Sequence, residues 1–237
     1  MDVSNFVLRL TEYYRRHGIR ATICRAGLAG SRGLLAGRMV VFYCDLDERR
    51  LRPVNIPKTF VVERVVALAE VSAEHVQEMT SFWNPKLASR NIRERFEKGA
   101  SLWLVKSEER LAGYGWTLQG RTIAQYYFPL GPDDVQLFDF YVFPRFRGRA
   151  IHWLLTSHIL HRLAVEGRSR AFADTGEWNK AQLASFKMTP FRSLGFVRAY
   201  KVFGQMVTCW VAREPTDQQQ KGPARLQTTI KVLRSNE

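Results

Sequence analysis

The chain is poor in cysteine: Cys24, Cys44 and Cys209 are the only three in 237 residues. An odd number at wide spacing matches neither a disulfide framework nor a zinc site, and favours a reducing compartment. Long apolar runs are also missing. None approaches the roughly 20 residues a spanning helix needs, so no membrane span is expected. The N-terminus, MDVSNFVLRLTEYYRR, has an acidic second residue and charges throughout, unlike a secretory signal. The expectation is a cytoplasmic protein. Acidic residues are few, 22 against 36 Lys and Arg, for a formal net charge of +14. Such a balance suits nucleic acid, anionic lipid, an acidic carrier protein or a phosphate-rich small molecule. There is no interleaved aromatic and basic signature and no clear helix-turn-helix, so nucleic acid is not expected as a partner. Of five histidines, His158 and His161 share a helical face, but no third ligand accompanies them, and no metal is expected. No nucleophile-elbow motif is present. The glycine-rich run GLAGSRGLLAG, 27–37, lacks the Gly-Lys-(Ser/Thr) ending and the preceding strand of a phosphate loop.

What is present is a globular composition, 46% hydrophobic, in a chain long enough for one ordinary domain plus extra elements. Its most informative stretch is DFYVFPRFRGRAIHWLL, residues 139–155. Residues 135–142, VQLFDFYV, are rich in aromatic and β-branched side chains and read as a strand. From Arg149 the apolar positions Ile151, Leu154, Leu155, Ile159 and Leu163 fall near a 3.6 period, predicting a helix Arg149–Glu166 with Gly167 as its C-terminal stop. Pro144 cannot donate to a ladder, so the strand ends there. Gly148 allows positive φ or a close backbone approach. The first N–H groups of a helix lack intrahelical partners and carry the positive end of its dipole, which makes this corner an anion site.

Asp139 is a carboxylate in an otherwise apolar strand. An unpaired buried charge is costly, so it reads either as a functional group or as one half of a salt bridge to a nearby arginine. Alternation along the strand predicts Asp139 and Phe140 on opposite faces.

Val142-x-Pro144 followed by Arg145-x-x-Gly148-x-Ala150 resembles the acyl-CoA pyrophosphate loop of the GNAT superfamily of CoA-dependent N-acetyltransferases. A second segment agrees: Asn179, Leu183, Ser185 and Phe186, then Leu194-Gly195-Phe196, resemble the family's later helix and the strand after it. The intervening KMTPFRS departs from the family's spacing. Either Phe186 or Phe191 then takes the position where many members carry a tyrosine, and neither has its hydroxyl. The order strand, two helices, three strands, helix, strand, helix, two strands over residues 59–213 is also the superfamily's.

The resemblance implies an α/β fold, a central mixed β-sheet flanked by helices, in three parts. These are an N-terminal helix–strand extension (1–58), a GNAT-like acetyltransferase domain (59–213) and a polar tail (214–237). It implies an N-acetyltransferase moving an acetyl group from acetyl-CoA to a primary amine by direct attack on the thioester. The alternatives are a longer-chain N-acyltransferase using acyl-carrier protein or acyl-CoA, and a non-catalytic CoA-binding module. Implied cofactor contacts are Tyr141, Val142, Arg145, Phe146, Arg147, Gly148, Arg149, Ala150, Asn179 and Phe186. Asp139 is the first candidate for the base, with Glu63 and Glu177 behind it, and Tyr200 is a candidate acid. Trp83, Trp116, Tyr126, Tyr127 and Phe128 could build an aromatic acceptor site or could be core.

Overall fold

The computed structural model describes residues 38–81, 84–108, 110–124, 126–202, 205–212 and 228–233, with Tyr14, Arg15, Gly18, Ile19, Thr22 and Ile23 from the N-terminal segment. Most of residues 1–37 of the expected helix–strand extension, with the glycine run 27–37 and Cys24, and also Trp83 and the polar run 214–227, lie outside the described residues. The chain forms two compact units, 1–37 with 67–98, and 38–66 with 99–237.

In the first unit, α1 (Ala73–Thr80) and α2 (Pro85–Glu97) pack on each other. Both start as their sequences dictate. Ser72 Oγ accepts from the His75 N–H at 3.2 Å, and Asn84 Oδ1 accepts from the Leu87 N–H at 3.2 Å. Each satisfies one orphan donor of a first turn, and Pro85 adds a preset φ at the first helical position of α2.

The second unit is built on a nine-stranded sheet in the order β2-β3-β4-β5-β6-β1-β7-β8-β9. The strands are β1 (Met39–Asp45), β2 (Val61–Val65), β3 (Ser101–Ser107), β4 (Arg110–Gln119), β5 (Asp134–Val142), β6 (Arg170–Gly176), β7 (Arg192–Val202), β8 (Gln205–Ala212) and β9 (Thr228–Leu233). β1 lies between β6 and β7 and pairs antiparallel with both. The strand that the sequence places in a separate 1–58 extension is thus a central strand of the same sheet. β9, from the tail, adds to β8. β5 and β6 are parallel, joined by α3 (Ile151–Val165), while the other pairs are antiparallel.

Helix α3 packs on β3, β4 and β5 through Ile151, Leu154, Leu155, Ile159, Leu160 and Leu163, all buried. Each such side chain contributes about 1.5–3 kcal/mol relative to exposure. The helix ends in a Schellman turn. Gly167, at φ +74°, donates to Ala164 O at 2.9 Å, and Arg168 donates to Leu163 O at 3.0 Å. α4 (Lys180–Phe186) lies on the same face, where Phe186 stacks on Phe42 of β1 with ring centroids 4.5 Å apart. The opposite face of the sheet is covered by the β4–β5 connection and its aromatic run, Tyr126, Tyr127 and Phe128.

Candidate active site

The parallel pair β5–β6 is short. It runs from Asp134↔Arg170 to Gln136↔Phe172 and stops, although β5 continues to Val142 and β6 to Gly176. Beyond that point each strand keeps its other neighbour, β4 for β5 and β1 for β6. The sheet is therefore split between β5 and β6, and among the described residues the backbone groups lining the split form no ladder across it. The unsplit end is pinned by Asp134. Its buried carboxylate accepts two bonds from Arg170, at 2.9 and 2.7 Å, and one from the Gly131 N–H at 2.8 Å.

On the β5 side of the split sits a β-bulge. The β4–β5 register shifts between Tyr114↔Tyr141 and Trp116↔Phe138, and Asp139 takes φ +49°. The extra residue re-aims the side chains after it. Gln136 faces the connection, where its Oε1 accepts from the Ile123 N–H at 3.1 Å. Phe140, four residues on, would share that face in a regular strand. Instead its ring packs on His152 of α3, centroids 5.1 Å apart, on the helical face.

The bulge corrects the sequence reading of Asp139. The residue is exposed, not buried, so the cost of a buried charge no longer argues for its carboxylate. The left-handed backbone here is a local cost of about 1 kcal/mol for a non-glycine residue.

β5 leads into the basic corner. Pro144–Phe146 make a short 3-10 turn, Gly148 is left-handed at φ +80°, and Ala150, also left-handed at φ +54°, is the N-cap of α3. The helix therefore begins at Ile151 and not at Arg149, and its first intrahelical bond is Leu154 N–H to Ala150 O at 2.9 Å. The N–H groups of Ile151, His152 and Trp153 thus belong to the unsatisfied first turn. A β-carbon at Gly148 would meet no atom of the described residues within 4 Å. The space beside Gly148 is open among the described residues, and the turn carries three arginines. Arg145 and Arg149 lie over the buried ring of Phe146, at 5.2 and 5.5 Å from its centroid. Arg147 Nε reaches Val142 O at 3.4 Å. Such a turn, with helix dipole and cations, suits a diphosphate. Phe146 holds the corner from beneath, edge-on to Phe60 at 6.5 Å, so its role is support.

His152, in the first turn of α3, ties that helix to α4: its Nδ1 lies 2.7 Å from Ser185 Oγ. Burial pushes its pKa down to about 4. Because the folded pKa lies below the unfolded value of about 6.5, the unfolded chain binds the extra proton between these limits, and stability falls as pH drops through that window. The expected loss from this group between pH 7 and pH 5 is about 2 kcal/mol. Burial and the neighbouring Arg162 and His161 lower His158 in the same direction. Urea midpoints at both pH values for the parent and His152→Asn isolate the His152 share, which the variant is expected to lose. An equal pH dependence in the two proteins would refute the assignment.

On the other face of the split, Tyr127 Oη donates to Asp174 Oδ2 at 3.1 Å. Asp174 stands on β6, two residues past its last pair with β5. Burial raises its carboxyl above the ordinary range, and the Tyr127 hydrogen bond holds it partly back. The sequence carried a signal for it, a carboxylate in the apolar strand AFADT, the same signal that drew attention to Asp139.

Several other expected residues are placed elsewhere. Tyr141 lies on the connection face beside β5, its ring 5.7 Å from that of Tyr114, and burial raises its hydroxyl pKa while Arg147 opposes the shift. Asn179 uses its amide as the cap of α4, accepting from the Gln182 N–H at 3.3 Å and donating to Gln182 Oε1 at 2.9 Å. Phe186 is core, packed among Phe42, His152 and Phe191. Tyr200 is not brought to the split. It pairs with Val207 on β8, and β1 lies between its strand and β6. Of the reserve carboxylates, Glu63 pairs with Lys106 at 2.5 Å and Glu177 with Arg38. Trp116 is fully buried. Among the described residues no group of three or more His, Cys, Asp or Glu could hold a metal ion, and no helix is long and apolar enough to cross a membrane.

Residues 68–189 match the model of the acetyltransferase (GNAT) family. No curated protein matches the chain. Among solved structures, the chain is similar to a tandem GNAT protein from the clavulanic acid biosynthesis pathway, at 16% identity and a TM-score of 0.50, over 67% of this chain and 50% of that one. It is also similar to a GNAT-family acetyltransferase from Colwellia psychrerythraea, at 12% identity and a TM-score of 0.49, over 66% and 53% of the two chains. A putative GNAT acetyltransferase from Novosphingobium aromaticivorans gives 15% identity and a TM-score of 0.44, over 66% and 60%. The matched region thus spans half to three-fifths of those structures. At such identities the likeness is one of fold.

Proposed function

Because the chain belongs to the acetyltransferase (GNAT) family, we propose that it is an N-acetyltransferase, moving an acetyl group from acetyl-CoA to a primary amine. The observation that carries this reading is the continuous path on β5: a split from β6, a bulge at Asp139, and a left-handed, arginine-flanked corner at Gly148. The corner holds the diphosphate through main-chain N–H groups, with Arg145, Arg147 and Arg149 as counter-charges. The split admits the thioester arm between β5 and β6, where ladder hydrogen bonds would otherwise close the sheet. Backbone N–H groups released at the bulge polarise the thioester carbonyl, and they stabilise the negative charge that grows on its oxygen.

A neutral amine attacks the carbonyl carbon. The C–N bond forms, the C–S bond breaks, and the thiolate leaves with that electron pair. An ammonium acceptor sheds two protons on the way to an amide; one ends on the thiol and one in solvent.

Thiol release tests this reading, with acetyl-CoA, longer acyl-CoA and acyl-carrier protein as donors against a panel of primary amines. Acetyl-CoA with at least one amine is expected to release thiol, and millimolar CoA to raise the melting temperature by mass action. Release only from the carrier protein would move the donor assignment to that carrier. No release from any donor, with no thermal shift, would overturn the family activity for this chain.

A further inference from the structure

Two faces meet at the split, and α3 with the basic corner before it lies on one of them. On the other, Asp174 and Tyr127 lie in an aromatic cluster. The ring of Tyr127 lies 4.7 Å from that of Tyr126 and 6.1 Å from that of Trp210. Phe128 lies 5.3 Å from Tyr126, 5.9 Å from Trp210 and 5.2 Å from Phe172. Alternation on β6 puts Phe172 and Asp174 on this face, while Thr175 points to α4, donating to Gln182 Oε1 at 2.8 Å.

The second, independent observation is Tyr126. It is 7% exposed, and its hydroxyl has no hydrogen-bond partner among the described residues. A buried polar group left unpaired costs about 1–3 kcal/mol. Native structures leave few such groups without a reason. Burial, and after it the charge of Asp174, raises the pKa of Tyr126. A carboxylate, a phenol oxygen with no partner among the described residues and aromatic faces together match one ligand chemistry. An ammonium group gives N–H bonds to the two oxygens and is attracted to the ring faces.

We propose that Asp174, held by Tyr127 in the same aromatic cluster as Tyr126, receives the ammonium group of the acceptor and takes one of its protons, and that the surrounding rings select primary amines on an apolar or aromatic body without a neighbouring carboxylate. This rests on the acyl-transfer reading and deepens it. The transfer balances: R–NH3+ and the Asp174 carboxylate become R–NH2 and the carboxylic acid. The nitrogen lone pair then makes the C–N bond, the thiolate takes the second proton, and Asp174 returns the first to solvent. A carboxyl raised by burial is better matched to this task than an ordinary one, because a base works best with a pKa near the operating pH. A carboxylate on the acceptor would face Asp174 across a desolvated site and be repelled.

Tyr127 and Tyr126 come from the connection and Tyr43 from β1. Arg170, on the same strand as Asp174, is held by Asp134. Burial raises the first two phenols further from the acidic range, so neither makes the acidic limb of the rate profile, and the Asp174→Asn comparison assigns it.

The experiment uses the full chain, acetyl-CoA, and two probes, 2-phenylethylamine and phenylalanine, with kcat/KM followed from pH 5 to 9. The parent is expected to favour the amine over the amino acid by at least 10²-fold. Asp174→Asn is expected to lower kcat/KM for the amine by about 10²-fold and to abolish the acidic limb, while CoA affinity stays within twofold. Tyr127→Phe removes the bond that favours the charged carboxylate and is expected to move that limb to higher pH. A merely structural Asp174 would leave the limb in place. An unchanged acidic limb in cooperatively melting Asp174→Asn, or equal use of both probes by the parent, overturns the proposal while acyl transfer stands. A parent that binds no CoA and releases no thiol overturns both.

Discussion

Gly148→Glu is expected to reduce CoA affinity by 10²-fold or more, and Arg147→Ala by less than tenfold. The difference comes from what each residue gives the corner. Gly148 has φ +80°, a conformation open to glycine and strained for glutamate. Its missing β-carbon faces space free of atoms of the described residues, which is the space a diphosphate occupies if the first turn of α3 binds it. A carboxylate there brings bulk and a like charge to a site whose donors are main-chain N–H groups. Arg147 contributes one guanidinium, already engaged with Val142 O at 3.4 Å, and its loss leaves those donors and the other two arginines in place. Calorimetry with CoA on parent and both variants, in protein that still melts cooperatively, measures the comparison. Gly148→Ala is the control for strain alone, since it keeps the backbone cost without charge. If Gly148→Glu binds CoA as the parent does, the corner is no phosphate site.

How far the sequence led can be judged residue by residue. The change of period around Pro144 located the end of β5 and the start of α3 to within two residues, because an apolar stripe and a missing N–H act locally. Gly167 was legible for the same reason, since capping needs only neighbours in the chain. Long-range pairing was not legible. Nothing in RMVVFYCDL says that β1 inserts between β6 and β7, because an apolar strand with both faces covered fits any interior place in a sheet. The bulge was hidden too. Asp139 reads as one more inward or outward residue of a regular strand until the shifted register with β4 shows an extra residue. Alternation then fails at Phe140, and with it the inference that the carboxylate is buried. Asp174 needed the tertiary fold, since only the folded connection brings Tyr127 across to it. Asn179 and Phe186 kept their family places in the chain, yet their side chains cap a helix and fill a core.

The bulge itself is held by a glycine, and this gives the second large effect. A β-carbon on Gly115 would lie 2.6 Å from Cε1 and 2.7 Å from Cδ1 of Phe140, closer than packed carbons tolerate. The ring has little room to yield, because His152 lies on it with centroids 5.1 Å apart, and His152 is itself tied to Ser185. Gly115→Val must therefore push Phe140 and the backbone at Asp139, where the thioester carbonyl is proposed to sit. Overpacking of this kind costs about 1–3 kcal/mol, and each kcal/mol lowers the melting temperature by roughly 2–4 °C in a chain of this size. The larger effect is on turnover, expected to drop about 10²-fold, since a misplacement near 1 Å costs that much in positioning. The clash has a specific partner, so it also has a specific rescue. Phe140→Ala alone leaves a gap, but combined with Gly115→Val it removes the ring that the new methyl groups strike. The double variant should then be more stable than the two single losses predict, with a coupling of about 0.5–3 kcal/mol from urea midpoints. Simple additivity would show that Gly115 is not there to seat Phe140. A coupled pair with activity still absent would mean that stability recovers while the bulge geometry does not, which is the result expected if the ring sets that geometry.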